Sequence, residues 1–134
     1  MTDLVFFYGT LMSGFKRLGR ARVDLALEPV GLGWIDAVLF DLGVYPAAIQ
    51  AAEGRVRGEV HRMLDSDAVL LTLDEIEGYR RGKPAASLYV RREAPVTLDD
   101  GRVDHAWVYF YNAPLVGAQQ ITSGDYLEYL RVKR

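Results

Sequence analysis

A chain of 134 residues, half of them hydrophobic, with 16 basic and 18 acidic side chains and a formal net charge of −2, suits one well-filled core and argues against disorder. The absence of cysteine excludes disulfides, thiol catalysis and cysteine-ligated metals. The basic pairs Lys16-Arg17, Arg80-Arg81 and Arg91-Arg92 are scattered, so no nucleic-acid partner is expected.

The start lacks a basic stretch followed by an apolar signal core, and no apolar run approaches membrane-spanning length. The expectation is a cytoplasmic protein with no membrane partner, folded as a single domain over residues 1–134. The apolar, aromatic run from Leu4 to Tyr8 ends at Gly9 and reads as a strand buried on both faces. Gly9 lets the backbone turn sharply or come close to a ligand. The amides of Gly9, Thr10 and Leu11 could bind an anion such as a carboxylate; an ordinary turn after a core strand fits the same letters.

Residues 13–22 are polar and basic and read as a loop with a short helix, and residues 23–27 as a weak strand. Residues 32–42 read as one strand, bent near Gly31 or Gly33. In the following segment Pro46 pushes Tyr45 towards an extended backbone, which holds an aromatic ring at a fixed spot. Residues 55–64 alternate as a half-buried strand, with Val56, Gly58 and Val60 on one side and Arg57, Glu59 and His61 on the other. Ser66-Asp67 offers an N-cap for a helix running to Glu77, with Gly78 as a left-handed stop.

Residues 88–98 read as a strand with Leu88, Val90, Ala94, Val96 and Leu98 on one face, and Pro95 implies an edge or bulge. Asp99-Asp100-Gly101-Arg102 is a hairpin turn, returning as a strand with Trp107, Tyr109 and Tyr111 on one face. Thr122 and Asp125 have capping-box spacing, and Ile121 with Tyr126 fits a hydrophobic staple, so a last helix opens there. The sum is an α+β domain: a small mixed, largely antiparallel β-barrel with short helices.

Candidate chemistry centres on the first helix. Val69, Leu70, Leu73 and Ile76 form its apolar stripe; Glu77 falls inside the stripe, Asp74 at its edge and Glu75 on the far side. Desolvation and the negative end of the helix both disfavour the Glu77 anion, which suits a group that moves protons near neutral pH. An exposed helix end, or a Glu77–Arg91 ion pair, fits the pattern too. No serine lies in a nucleophile-elbow signature and no phosphate-binding glycine loop is present. His61 and His105 lack metal-binding spacing and read as strand residues, so no metal is expected.

Five strings occur in order along the chain: Tyr8-Gly9-Thr10-Leu11, Gly43-x-Tyr45-Pro46-Ala47, Leu73-Asp74-x-x-Glu77-Gly78-Tyr79, Leu88-Tyr89-x-Arg91 and Ser123-Gly124-Asp125-Tyr126. The set resembles the gamma-glutamylcyclotransferase-like family over nearly the whole chain. The resemblance implies a small mixed barrel, with Glu77 as catalytic acid/base. It implies that Tyr8, Gly9, Thr10 and Leu11 bind the γ-glutamyl part of a small-molecule substrate, with Tyr89 near the ligand. It implies neither cofactor nor metal, and it leaves Tyr45, Arg91, Trp107 and the loop from Arg80 to Ala86 without a role. The implied reaction is release of an amine or amino acid with formation of 5-oxoproline. The alternatives are a non-catalytic pocket for a small carboxylate or amine, and a partner-binding domain that uses the aromatic hairpin.

Overall fold

The computed structural model describes residues 2–12 and 26–133; the expected loop and short helix at 13–22 and most of the weak strand at 23–27 lie outside the described residues. In chain order the elements are β1 (Leu4–Phe7), β2 (Leu27–Ile35), β3 (Ala37–Asp41), β4 (Pro46–Gln50), β5 (Val56–Met63), helix α1 (Ser66–Glu77), a 3₁₀ turn (Pro84–Ala86), β6 (Tyr89–Leu98), β7 (Val103–Tyr111), β8 (Gln119–Gln120) and helix α2 (Tyr126–Lys133). Strands β1-β5-β2-β6-β7 close into a barrel, and β4-β3-β8 form a second, three-stranded sheet. The barrel is antiparallel except where β1 meets β7 in parallel, with Val5 opposite Trp107. The α+β barrel with short helices expected from the sequence is the fold observed.

The alternation of side chains sets the inside of the barrel. Phe6 lies opposite Val60, and Ala94 opposite Ala106. These residues and Val56, Val96 and Val108 are almost fully buried. Removing a ring such as that of Phe6 from this interior costs about 3–5 kcal/mol. The other face of the same strands carries Phe7, His61, Arg91, Trp107 and Tyr109. Contacts of Asp74 with Arg91 and Tyr109 join α1 to that face.

Several boundaries differ from the sequence reading. The stretch 32–42 is two strands, β2 and β3, which part at Asp36 and join different sheets. β4 was not expected, because Pro46-Ala47-Ala48-Ile49-Gln50 lacks alternation, yet Ala47 and Ala48 are fully buried. The N-cap of α1 is Asp65, whose carboxylate accepts the Ala68 amide at 3.3 Å, one residue before the expected Ser66. Asp125 itself caps α2 by accepting the Glu128 amide at 3.2 Å, in place of a Thr122–Asp125 capping box. Ile121 and Tyr126, the expected staple, are both buried in the core. Leu88 precedes β6 and is exposed, whereas Tyr89 is buried. Pro95 sits where β6 pairs only with β7, since β2 reaches β6 at Leu98 and Thr97.

At the end of α1 the Tyr79 amide bonds the Asp74 carbonyl at 2.8 Å and the Gly78 amide bonds the Glu75 carbonyl at 3.3 Å. This is a Schellman stop, and it requires the left-handed φ of 67° that Gly78 adopts without strain. Glu77 is thereby fixed as the last helical residue.

Candidate active site

One cavity collects residues from β1 and the turn after it, the β3–β4 hairpin, the end of α1, β6 and β7. It is lined by Phe6, Phe7, Tyr8, Gly9, Thr10, Leu11, Tyr45, Pro46, Glu77, Tyr89 and Tyr109, and has a volume of about 30 Å³, within about 350 Å³ of empty space that includes open solvent. β1 delivers the turn after Tyr8, which the Met12 amide closes on the Gly9 carbonyl at 3.0 Å. The β3–β4 hairpin delivers Tyr45 and Pro46, the last turn of α1 delivers Glu77, and β6 and β7 deliver Tyr89 and Tyr109.

All of the sequence-derived candidates, Glu77, Tyr8, Gly9, Thr10, Leu11 and Tyr89, line this one cavity. The reason for Gly9 is specific: a Cβ there would sit 2.7 Å from Cγ of Pro46. Gly9 therefore serves close approach to the neighbouring hairpin. Tyr89 is held by donating its hydroxyl to the Pro46 carbonyl at 2.9 Å. The Tyr8 hydroxyl donates to the Tyr109 carbonyl at 2.6 Å and accepts the Ala48 amide at 3.3 Å.

The carboxylates need a correction. Glu77 is only half-buried, and the carboxylate taken out of solvent is Asp74, at 4% exposure. The helical angle placed Asp74 at the edge of the stripe but left out its partners. Arg91 reaches Asp74 with Nε at 2.8 Å and Nη2 at 3.3 Å, Arg81 with Nε at 2.9 Å, and the Tyr109 hydroxyl donates to Oδ1 at 2.6 Å. Arg91 lies under the ring of Trp107, 4.4 Å from its centroid, with Tyr79 at 5.5 Å. The cation that Arg91 supplies thus goes to Asp74 rather than to Glu77.

Burial, with smaller contributions from Tyr89 and Glu77, pushes the Tyr8 phenol well above its ordinary range, against the Ala48 hydrogen bond. Burial also raises Tyr109, followed by the hydrogen bond and charge of Asp74; Arg91 opposes and Glu77 adds. Both phenols keep their protons through the neutral range, and both feel the charge of Glu77.

The sequence reading assigned no site role to Tyr109, Tyr45, Pro46 or Asp74. Tyr45 and Pro46 stand in one of the five strings, so position along the chain was a usable signal for them. Tyr109 had only its place on an aromatic strand face, and the Arg91–Tyr109 cross-strand pair depends on register. Of the hairpin aromatics Tyr109 is buried, at 3% exposure, while Trp107, beside Arg91, and Tyr111 are half-buried. His61 and His105 are strand residues of β5 and β7. Among the described residues no three His, Asp or Glu side chains gather as a metal site, and no helix is long and apolar enough to cross a membrane.

The family model described as gamma-glutamyl cyclotransferase, AIG2-like, matches residues 5–128. The chain belongs to this family. It is 36% identical over 125 residues to the gamma-glutamylcyclotransferase family protein YtfP of Escherichia coli, covering 92% of this chain and 96% of that one. The solution structure of YtfP matches with a TM-score of 0.67 at 31% identity, over 94% of this chain and 97% of that one. The crystal structure of YkqA from Bacillus subtilis matches with a TM-score of 0.73 at 25% identity; it covers 99% of this chain, which spans only 42% of YkqA. An AIG2-like protein from Mus musculus shares the fold, with a TM-score of 0.69 at 17% identity over 92% of this chain and 87% of that one.

Proposed function

We propose that this member of the gamma-glutamyl cyclotransferase family is an active cyclotransferase of γ-glutamyl compounds, with Glu77 as general acid/base. The observation that carries the reading is the shared cavity: a carboxylate, a turn of main-chain amides and a wall of tyrosines line one pocket. The turn amides of Gly9, Thr10 and Leu11 hold the α-carboxylate of the substrate, and Tyr8 and Tyr89 bound the folded γ-glutamyl part.

The reaction needs no external nucleophile. Glu77 takes a proton from the substrate's α-ammonium, and the freed amine attacks the γ-carbonyl carbon. A nitrogen–carbon bond forms and Glu77 passes its proton to the leaving nitrogen, whose bond to carbon breaks; Glu77 then takes the second proton from the new ring nitrogen and hands it to the released amine, which departs as an ammonium. The products are 5-oxoproline and a free amine or amino acid, so atoms and charge balance without water, cofactor or metal. Holding the amine against the carbonyl supplies much of the acceleration, since well-oriented intramolecular reactions reach effective molarities of about 10⁵ to 10⁸ M. We place the activity in the cytoplasm, with a small molecule as sole partner and no nucleic acid or membrane.

The test is incubation with a panel of γ-glutamyl amino acids and γ-glutamyl amines, with 5-oxoproline as the readout. Production from at least one of them is expected. Binding without turnover across the panel would replace the enzyme with a small-ligand binding domain.

A further inference from the structure

Three of the cavity's tyrosines, Tyr8, Tyr89 and Tyr109, share a property that follows from hydrogen-bond chemistry. A main-chain carbonyl only accepts, so a phenol bonded to it gives up its single proton. Tyr8 donates to the Tyr109 carbonyl and Tyr89 to the Pro46 carbonyl, at 2.6 Å and 2.9 Å. Tyr109 donates to Oδ1 of Asp74 at 2.6 Å. Any ligand group that reaches these oxygens meets lone pairs. Among the described residues that line the cavity there is no lysine, arginine or histidine, and Glu77 is a further acceptor. Donors come from the turn after Tyr8, as main-chain amides, and from the hydroxyls of Thr10 and Tyr45. The three committed phenols and Glu77 thus offer acceptors, and the turn offers main-chain donors, which matches the two charged ends of an α-amino acid.

The bond from Tyr109 differs from the other two because its acceptor is a side chain that is itself clamped. Oδ1 of Asp74 is shared between Tyr109 and Nε of Arg91, and Oδ2 between Arg81 and Nη2 of Arg91. Arg91 lies against the rings of Trp107 and Tyr79, and its side chain is 8% exposed. The carboxylate cannot turn without losing several charge-assisted bonds. Nothing in the acid/base role of Glu77 requires this arrangement.

We propose that Asp74 is a positioning residue that accepts the hydrogen bond of the Tyr109 hydroxyl, leaves Tyr109 only lone pairs to offer the ammonium end of the ligand, and so sorts ligands by a free α-amine. The inference rests on the cyclotransferase reading for the identity of the ligand, but its test is binding. Arg91 and Arg81 hold Asp74 in place, which gives Arg81, and with it the loop from Arg80 to Ala86, an indirect part in selection.

The experiment is calorimetric titration of the whole chain with γ-glutamyl ethylamide and with its Nα-acetyl derivative, which has no ammonium. The unaltered protein should prefer the free amine by at least about tenfold, the scale of one hydrogen bond to a charged group. Tyr109→Phe removes one hydroxyl and should cut that preference by about tenfold while binding of the acetyl compound holds. In Asp74→Asn the arginines claim the amide oxygen, the NH₂ faces Tyr109, and the phenol proton turns outward; the preference should fall again. If Asp74→Asn does not fold, Tyr109→Phe decides alone. A preference that survives both variants, or an equal loss for both compounds, overturns the inference. Binding of neither compound by the unaltered protein overturns it together with the cyclotransferase reading. Selective binding without 5-oxoproline overturns the enzyme reading alone and leaves the sorting role standing.

Discussion

Asp74 and Glu77 stand one turn apart on the same helix and carry the same functional group, yet they meet opposite surroundings. Asp74 is enclosed and fully engaged, by two guanidinium groups and a phenol. Glu77 is half-buried at the helix end and opens onto the cavity. Burial alone therefore does not mark an acid/base residue. A carboxylate whose two oxygens are both held by fixed donors builds a wall, whereas one that faces a cavity can exchange protons with what enters it.

The comparison is broken most strongly at Glu77. Glu77→Gln keeps the shape and removes the titratable proton, so turnover should fall by about 10² to 10⁴, or about 3–5 kcal/mol of transition-state stabilisation. Its urea midpoint should stay near that of the unaltered protein. Asp74→Ala should show the reverse emphasis. It strands the buried Arg91, and breaking a buried pair costs about 3–5 kcal/mol of stability, read from urea unfolding. Equal stability losses in the two variants would erase the distinction.

Smaller effects sharpen it. Gly9→Ala forces a methyl against Pro46 and should cost about 1–3 kcal/mol of stability by overpacking while weakening ligand binding. The raised phenols predict an alkaline limb. A folded-state value above the unfolded one gives stability that is present below about pH 10 and lost as pH rises beyond it. Tyr109→Phe should flatten part of that limb in urea titrations between about pH 9 and pH 11; an unchanged slope would contradict it. Arg81→Gln touches only the exposed end of the Asp74 cluster, and its stability change should stay within about 1 kcal/mol.

Much of this molecule was legible in its letters, but unevenly. Strand alternation gave the barrel strands β5, β6 and β7, and Gly78 gave the end of α1, because those signals are local. β4 carries no such signal, since its alanines are buried on both sides of the strand by neighbours from elsewhere in the chain. The break at Asp36 was hidden because apolar residues continue across it. At the site, ordered motifs brought Glu77, the Tyr8 turn and Tyr89 forward. Asp74 was under-weighted because its partners, Arg91 and Tyr109, face each other across β6 and β7, and cross-strand register is set by tertiary pairing.

The central claim is that this pocket cyclises γ-glutamyl compounds through Glu77. The most direct measurement is 5-oxoproline formed per folded molecule from the γ-glutamyl panel, with the unaltered protein, Glu77→Gln and the outer-face control Glu75→Gln run side by side. Formation by the unaltered protein and by Glu75→Gln, with near-complete loss in Glu77→Gln, is the result expected. Full turnover by Glu77→Gln on a substrate the unaltered protein accepts would contradict it.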